Sequence, residues 1–339
     1  MPSRREFLKK TSTLTAISLL TSWSLAGGGS DGIGKVLPKR RLTRNGEEVT
    51  AFCLGGYHAG IPADQGYAQR LIERAMELGV RFYDNARGYH RGRSEEYYGK
   101  FLTPKYREEV FLMTKSPGRT AADVRKHLDE SLLAMNTDYL DLWQIHTITT
   151  PEDVDNRIRE GVLDVFLEAK EQGKARYIGF TGHVNPKTHL YFLDFLKQRG
   201  LEMDTCQMPV NVCDASYESF QRNVLPELLK RDYGVIAMKT MAGGSMIGKR
   251  IDITPQELAT EDIPDVVKMT GLTLADLHRY AYAQPVSSLC SGCDTIDKLE
   301  QNVEVLKNLS RISSEEIERL VEMARPYAGF NVENYKRVL

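Results

Sequence analysis

From about residue 50 onward the chain alternates between two patterns. Short runs rich in β-branched, aromatic and other apolar residues fall at 50–55, 80–85, 109–114, 140–145, 175–181, 205–210, 234–239 and 286–291. Between them, apolar residues recur at three- and four-residue spacing: Leu71, Ala75 and Leu78, then Val124, Leu128, Leu132 and Met135, then Val162, Val165, Phe166 and Ala169. The first pattern reads as buried strands and the second as helices with one face on a core. Eight strands, each followed by a helical stretch, predict an α/β fold, a closed parallel (β/α)8 TIM barrel. An open doubly wound sheet is the alternative, but no Gly-x-Gly-x-x-Gly follows the first strand as that fold's dinucleotide site would want.

Ahead of the first strand, Arg40-Arg41-Leu42-Thr43 and Glu48-Val49-Thr50-Ala51-Phe52 flank Asn45-Gly46. Both turn residues tolerate positive φ, so the pattern predicts an N-terminal β-hairpin. Residues 245–270 form a long insertion between the seventh strand and its helix, at the end of a barrel where loops shape substrate sites. An extra helix is expected at the C-terminal end.

The first residues follow neither pattern. Ser3-Arg4-Arg5-Glu6-Phe7-Leu8-Lys9 is a full twin-arginine motif, a weakly apolar run from Leu14 to Leu25 follows, and Ser24-Leu25-Ala26 offers small residues for cleavage before Gly27. Residues 1–26 therefore read as a signal that takes folded protein to the periplasm through the twin-arginine export machinery. The apolar run is too short and too rich in Ser and Thr for a membrane anchor. Residues 27–38 read as a linker, flexible in its glycine-rich first half. The rest, 39–339, is expected to be one barrel domain.

Composition narrows the choice of partners. With 339 residues, 41% hydrophobic and 27% charged, the chain has material for one large core. A formal net charge of -1 gives no electrostatic case for nucleic acid or for an anionic membrane. Five cysteines are no disulfide scaffold, and Cys290-x-x-Cys293 alone makes neither a zinc nor an iron–sulfur site. No metal is expected.

The ends of strands two to four carry the candidate chemistry. Asp84 follows Arg81-Phe82-Tyr83, with Tyr89 just beyond; Met113-Thr114-Lys115 ends the third strand, and Trp143-Gln144-Ile145-His146 the fourth. In a barrel these ends share one mouth. A carbonyl accepting hydride needs a proton donor, and a Tyr hydroxyl, with an ordinary pKa of about 10, serves if a neighbouring Lys ammonium brings that value down. Asp84 would hold the Lys, and His146 would orient the carbonyl oxygen.

With these motifs in place, the sequence resembles the aldo-keto reductase superfamily over nearly all of residues 39–310. The hairpin leading into Leu54-Gly55-Gly56, the block Asp84-Asn85-Ala86-Arg87-Gly88-Tyr89 with Ser94-Glu95, then Thr114-Lys115 and Asp141-Leu142-Trp143-Gln144-Ile145-His146 carry the likeness. The resemblance implies catalytic roles for Asp84, Tyr89 as general acid/base, Lys115 and His146. It implies NADP as cofactor, with NAD the second choice. Thr181, in Ile178-Gly179-Phe180-Thr181-Gly182-His183, would stand for a Ser that holds the carboxamide, with Gly182 in place of an Asn. Gln207 matches a further carboxamide contact, and Met238 replaces the usual stacking Tyr. Lys239, Gly243, Gly244 and Lys249 resemble the loop over the pyrophosphate, whose glycines let backbone N–H groups approach phosphate. Lys298 matches a 2′-phosphate contact and Asn302 an adenine contact.

The leading expectation is hydride transfer between a nicotinamide and a small aldehyde, ketone or sugar-like carbonyl, or the matching alcohol. Two alternatives are weighed against it. One is a non-catalytic nicotinamide-binding regulatory module. The other is a lyase forming a Schiff base on Lys239 or Lys115. Oligomeric state is not legible in the sequence.

Overall fold

The computed structural model describes residues 28–248, 265–310 and 312–336. The export motif and Lys249 lie outside the described residues. Strands β1 (Lys39–Arg41) and β2 (Glu48–Thr50) form the predicted antiparallel hairpin, with Arg40 opposite Val49. Of Asn45-Gly46, only Gly46 takes a left-handed backbone, at φ +88°. The turn is wider than two residues, closing where the Leu42 N–H donates to Glu47 O at 2.7 Å.

The next eight strands close into a parallel barrel in the order β10-β3-β4-β5-β6-β7-β8-β9. They are β3 (Phe52–Gly55), β4 (Phe82–Tyr83), β5 (Phe111–Ser116), β6 (Leu140–Ile145), β7 (Ala175–Thr181), β8 (Thr205–Pro209), β9 (Gly234–Met238) and β10 (Ser288–Gly292). All eight stand where the apolar runs put them, and β6 and β7 match residue for residue. β4 is shorter than expected. The chain leaves the sheet at Asp84 and turns, with Asn85 Oδ1 accepting from the Ala86 N–H at 2.9 Å.

The main helices are α1 (Gln65–Glu77), α2 (Arg93–Phe101), α3 (Ala121–Ala134), α4 (Pro151–Arg159), α5 (Val162–Glu171), α6 (Pro186–Gln198), α7 (Leu225–Lys230), α8 (Leu274–Ala283), α9 (Ile296–Lys307) and the extra C-terminal α10 (Ser314–Ala324). Local chemistry sets their starts. Thr120, Thr150, Asn185, Thr273, Thr295 and Ser313 accept from N–H groups of the first turns of α3, α4, α6, α8, α9 and α10, caps each worth about 1 kcal/mol. Pro151 and Pro186 occupy first-turn positions where no N–H partner is needed.

Two apolar layers follow. Strand and helix side chains such as Leu71, Ile72, Trp143, Phe166 and Ile178 fill the space outside the barrel wall. Cys53, Phe82, Phe111, Met113, Leu142 and Ile236 form a separate cluster with Leu42 and Val49 of the hairpin. The hairpin seals the barrel floor. A Cβ on Gly234, at the start of β9, would lie 1.8 Å from Leu42 O, so only glycine permits that approach.

Of the segment expected as a linker, residues 28–35 are exposed, but Asp31, Val36 and Leu37 tie it to the barrel. Arg81 is 4% exposed, and Asp31 answers its charge through Arg81 Nε to Asp31 Oδ2 at 2.6 Å. Val36 and Leu37 are buried, and the Leu37 N–H donates to Gly79 O at 2.9 Å. A buried guanidinium needs a carboxylate, and the glycine-rich stretch delivers one. Around the long insertion, Val266–Thr270 is a short helix, while Ala242–Ile247 is a tight turn kinked at Gly243 and Gly244.

Candidate active site

The four catalytic candidates meet at the C-terminal mouth of the barrel. Lys115, on β5, is 1% exposed. Its Nζ donates to Asp84, just past β4, in an ion pair, to Asn85 O at 2.6 Å, and toward the Tyr89 hydroxyl at 3.4 Å. The same ammonium lies 5.0 Å from the Tyr89 ring centroid, a favourable cation–π distance. His146 follows β6, its ring edge-on to Tyr89 with centroids 5.7 Å apart. Tyr57, in the short helix that follows β3 directly, meets Tyr89 edge-on with centroids 5.3 Å apart.

Backbone and side-chain ties fix the Tyr89 loop. The Arg87 N–H donates to Lys115 O at 3.0 Å. Ser94 Oγ donates to Gly56 O at 2.6 Å. Glu95 is fully buried and accepts from Thr114 Oγ1 at 2.6 Å and Ser131 Oγ at 2.8 Å. The Ser94-Glu95 pair therefore fastens α2 to the barrel. His90 and Arg91, at φ +50° and +59°, make the tight left-handed bend between Tyr89 and α2.

The protonation states follow from burial and charge. Burial disfavours the Lys115 ammonium, yet Asp84 and Tyr89 raise its pKa above the ordinary lysine value, so Lys115 is charged. Burial pushes Tyr89 upward, and Lys115 opposes it without winning. The expectation that Lys115 brings Tyr89 below its ordinary value is thus corrected: desolvation of the phenolate is the larger effect. Tyr89 holds its proton. His146 lies well below its ordinary value, first through burial and then through Lys115, His183, Arg157 and Lys239, so the imidazole is neutral.

The expected cofactor residues form a second group. Thr181 ends β7 and stands opposite Gln207, in the middle of β8, in the parallel register. Gln207 Oε1 accepts from Gln144 Nε2 at 3.2 Å. Met238 ends β9, and Lys239 after it has a left-handed backbone, φ +54°. Gly243 and Gly244 continue that bend at φ +66° and +93°. Gly182 has no space for the Asn of the family pattern: a Cβ there would lie 2.5 Å from His189 Cε1 and 2.8 Å from Ile148 O. After β10, Asn302 donates to Ser291 Oγ at 3.1 Å and Cys293 Sγ at 3.2 Å. Lys298 is exposed and paired with Asp294 at 2.6 Å. Cys290 and Cys293 are both free thiols.

Several residues at the mouth carry no role in the sequence reading. Asn85 O and Gln144 both sit inside motifs quoted for other residues. Arg157 on α4 is 3% exposed and bridges two loops. It donates to Gly118 O at 2.9 Å, His146 O at 3.3 Å and Thr147 O at 3.4 Å, and pairs with Asp153 at 2.9 Å. Burial brings its pKa down to about 10. An arginine on an otherwise amphipathic helix gives no sequence signal for this.

The Aldo/keto reductase family pattern matches residues 51–325. The chain is 26% identical over 313 residues to the uncharacterized oxidoreductase YqkF of Bacillus subtilis, covering 83% of this chain and 95% of that one. It is 24% identical over 317 residues to the L-glyceraldehyde 3-phosphate reductase of Escherichia coli, covering 80% and 88%. Among solved structures, the holo form of an aldo-keto reductase from Bacillus halodurans superposes with a TM-score of 0.70 at 22% identity, over 88% of this chain and 99% of that one. An aldo/keto reductase from Klebsiella pneumoniae in complex with NADP and acetate superposes at 0.64 and 21% identity, covering 84% and 94%.

The Arg157 charge is one of those that keep His146 unprotonated. Arg157→Gln should therefore raise the His146 pKa toward its ordinary value, measured by following the imidazole resonances across pH. An unmoved titration would show that the guanidinium acts on the loop carbonyls alone.

Proposed function

The chain belongs to the aldo/keto reductase family, and from that membership and the mouth geometry we propose that it is an NADP-using oxidoreductase, with NAD as second choice. Its substrate would be a small aldehyde, ketone or sugar-like carbonyl, or the matching alcohol. The observation that carries this reading is the buried chain Asp84–Lys115–Tyr89 with the His146 ring beside it. The residues present fit a nicotinamide nucleotide: Thr181 and Gln207 offer polar groups side by side, and the left-handed run through Gly243 and Gly244 suits N–H donation to phosphate. When bound, the nicotinamide supplies or accepts the hydride.

The chain's own groups do the rest. Tyr89, holding its proton, would donate it to the carbonyl oxygen as the alcohol forms. Charged Lys115 stabilises the phenolate left behind, and Asp84 keeps Lys115 aimed. Neutral His146 would donate a hydrogen bond to the same oxygen and orient it.

A purely regulatory nicotinamide-binding module gains nothing from a buried ion pair aimed at a phenol. Schiff-base chemistry on Lys115 needs a neutral amine, and Asp84 and Tyr89 keep that amine charged. Lys239 Nζ lies over the Tyr335 ring, 5.5 Å from its centroid, within cation–π range.

The twin-arginine motif around Arg4 and Arg5 supports export of the folded barrel to the periplasm, with the mature chain starting near Gly27. Folded protein bearing Lys at both positions should stay in the cytoplasm on cell fractionation; unchanged export would sink this part of the reading.

Tyr89→Phe removes the proton donor and little volume. It should leave nucleotide affinity near wild type while kcat falls by about 100-fold or more. Because Tyr89 is held above its ordinary value, wild-type carbonyl reduction should keep its rate on the alkaline side up to at least about pH 10, the ordinary tyrosine value. Full turnover by Tyr89→Phe on a true substrate would refute the assignment.

The Asp294–Lys298 pair sets the expected cofactor preference. A 2′-phosphate reaching Lys298 must displace a carboxylate already bonded to it, so the NADP preference should be small, roughly tenfold or about 1.4 kcal/mol. Lys298→Ala should weaken NADP binding and spare NAD, whereas Asp294→Asn should strengthen NADP binding selectively. Nucleotide titrations followed by protein fluorescence decide between these outcomes and equal effects on both.

A further inference from the structure

After α10 the chain returns to the barrel mouth, and residues 332–336 lie across it. Lys336 is fully buried, as are its partners Asp214 and Glu333. Its Nζ donates to Asp214 Oδ1 at 2.6 Å, Tyr217 O at 2.7 Å and Glu333 Oε2 at 2.9 Å. An ammonium has three protons to give, and all three are taken. Removing the ammonium would strand two carboxylates out of water, so the segment is held at this depth. Val332 adds an apolar anchor in the buried cluster that contains Val212, Met246 and Val266.

The polar groups of this strap point inward, toward loops that carry other roles. Glu333 Oε1 accepts from the Tyr335 hydroxyl at 2.7 Å and from Asn211 Nδ2 at 3.0 Å. Asn211 Nδ2 also reaches the Tyr335 oxygen at 3.1 Å and Lys239 O at 3.2 Å. Lys239 has a left-handed backbone, which a non-glycine residue holds only when its surroundings fix it. The Tyr335 ring lies 5.7 Å from that of His183.

These contacts fall on three particular loops. His183 stands just past Thr181, Asn211 just past Gln207, and Lys239 next to Met238. The strap thus grips the loops leaving the three strands, β7, β8 and β9, whose ends carry the expected nicotinamide contacts. A tail that served only stability would be expected to bury apolar side chains here. This one buries an ammonium and a carboxylate, and spends them on fixing an amide and a carbonyl.

We infer that Glu333, Tyr335 and Lys336 are positioning residues for the nucleotide: they hold His183, Asn211 and Lys239, and so set the loop ends that receive its nicotinamide half. The inference rests on the oxidoreductase reading above. Lys336 is the lock, Glu333 the link, and Tyr335 the contact with the loops on either side.

Lys336→Met leaves two buried carboxylates unanswered and is prone to misfold, so Tyr335→Phe is the deciding variant. It keeps the ring and removes only the hydroxyl bonds to Glu333 and Asn211. Losing a buried hydrogen bond of about 0.5–1.5 kcal/mol corresponds to roughly 2- to 10-fold in affinity. Tyr335→Phe in the full mature chain should weaken NADP and NAD binding by that factor in fluorescence titrations and speed nucleotide release in stopped flow. At saturating nucleotide its single-turnover rate of carbonyl reduction should stay within about twofold of wild type, since Tyr89 is untouched. Unchanged nucleotide affinity and release, with or without a lower Tm, would overturn the inference and leave the strap a purely structural element. Wild-type protein that binds neither nucleotide would overturn the nicotinamide reading and this inference with it.

Discussion

Lys115 carries a positive charge into the interior of a β-barrel, where an unanswered ammonium costs several kcal/mol. The mouth is organised around meeting that cost. Asp84 has to stand at the end of the neighbouring strand, Asn85 has to turn its carbonyl inward, and the Tyr89 loop has to lie against the Lys115 carbonyl. None of these tolerates a slip in register, because a shift of one residue would turn Lys115 to the outer face. Strand pairing, loop length and the placing of Glu95 under Thr114 are therefore parts of one electrostatic solution.

Much of this was legible along the chain, for a physical reason. Barrel strands are buried on both faces and read as apolar runs, and in-barrel positions repeat at fixed places relative to strand ends. That is why β6 and β7 were found to the residue and why Asp84, Lys115 and His146 could be picked out. What the sequence could not show depends on three dimensions at once. The net direction of the Tyr89 shift is a contest between burial and Lys115, and burial cannot be read from neighbours in sequence. The lack of space at Gly182 comes from His189 and Ile148, which belong to other elements. The same holds for Asp31, which looked like part of a loose linker until Arg81 came to need it.

The two ends of the barrel divide the work differently. At the floor, Leu42 and Val49 of the hairpin complete an apolar cluster, and Gly234 lets the backbones touch. Ion pairs beside the hairpin, such as Arg41 with Asp232 and Arg176 with Glu47, are partly exposed to water. The mouth, by contrast, concentrates left-handed residues outside glycine: His90, Arg91, Thr147, Lys239 and Ala242. Such conformations cost of order 1–3 kcal/mol each and persist only where the surroundings fix them. The apolar floor is the counterweight to a mouth built from awkward backbone and buried charge.

Lys336 meets Asp214 across a separation of 122 residues. A contact of that range closes a long loop, whose entropic cost grows only slowly with its length. Barrel closure spans a still longer separation, with Phe52 of β3 beside Leu289 of β10, so wall and strap alike depend on order between distant parts of the chain. Lys336 is thus an ionic staple between the strap and the loop after β8, and a chain cut before it would leave Asp214 buried without its cation.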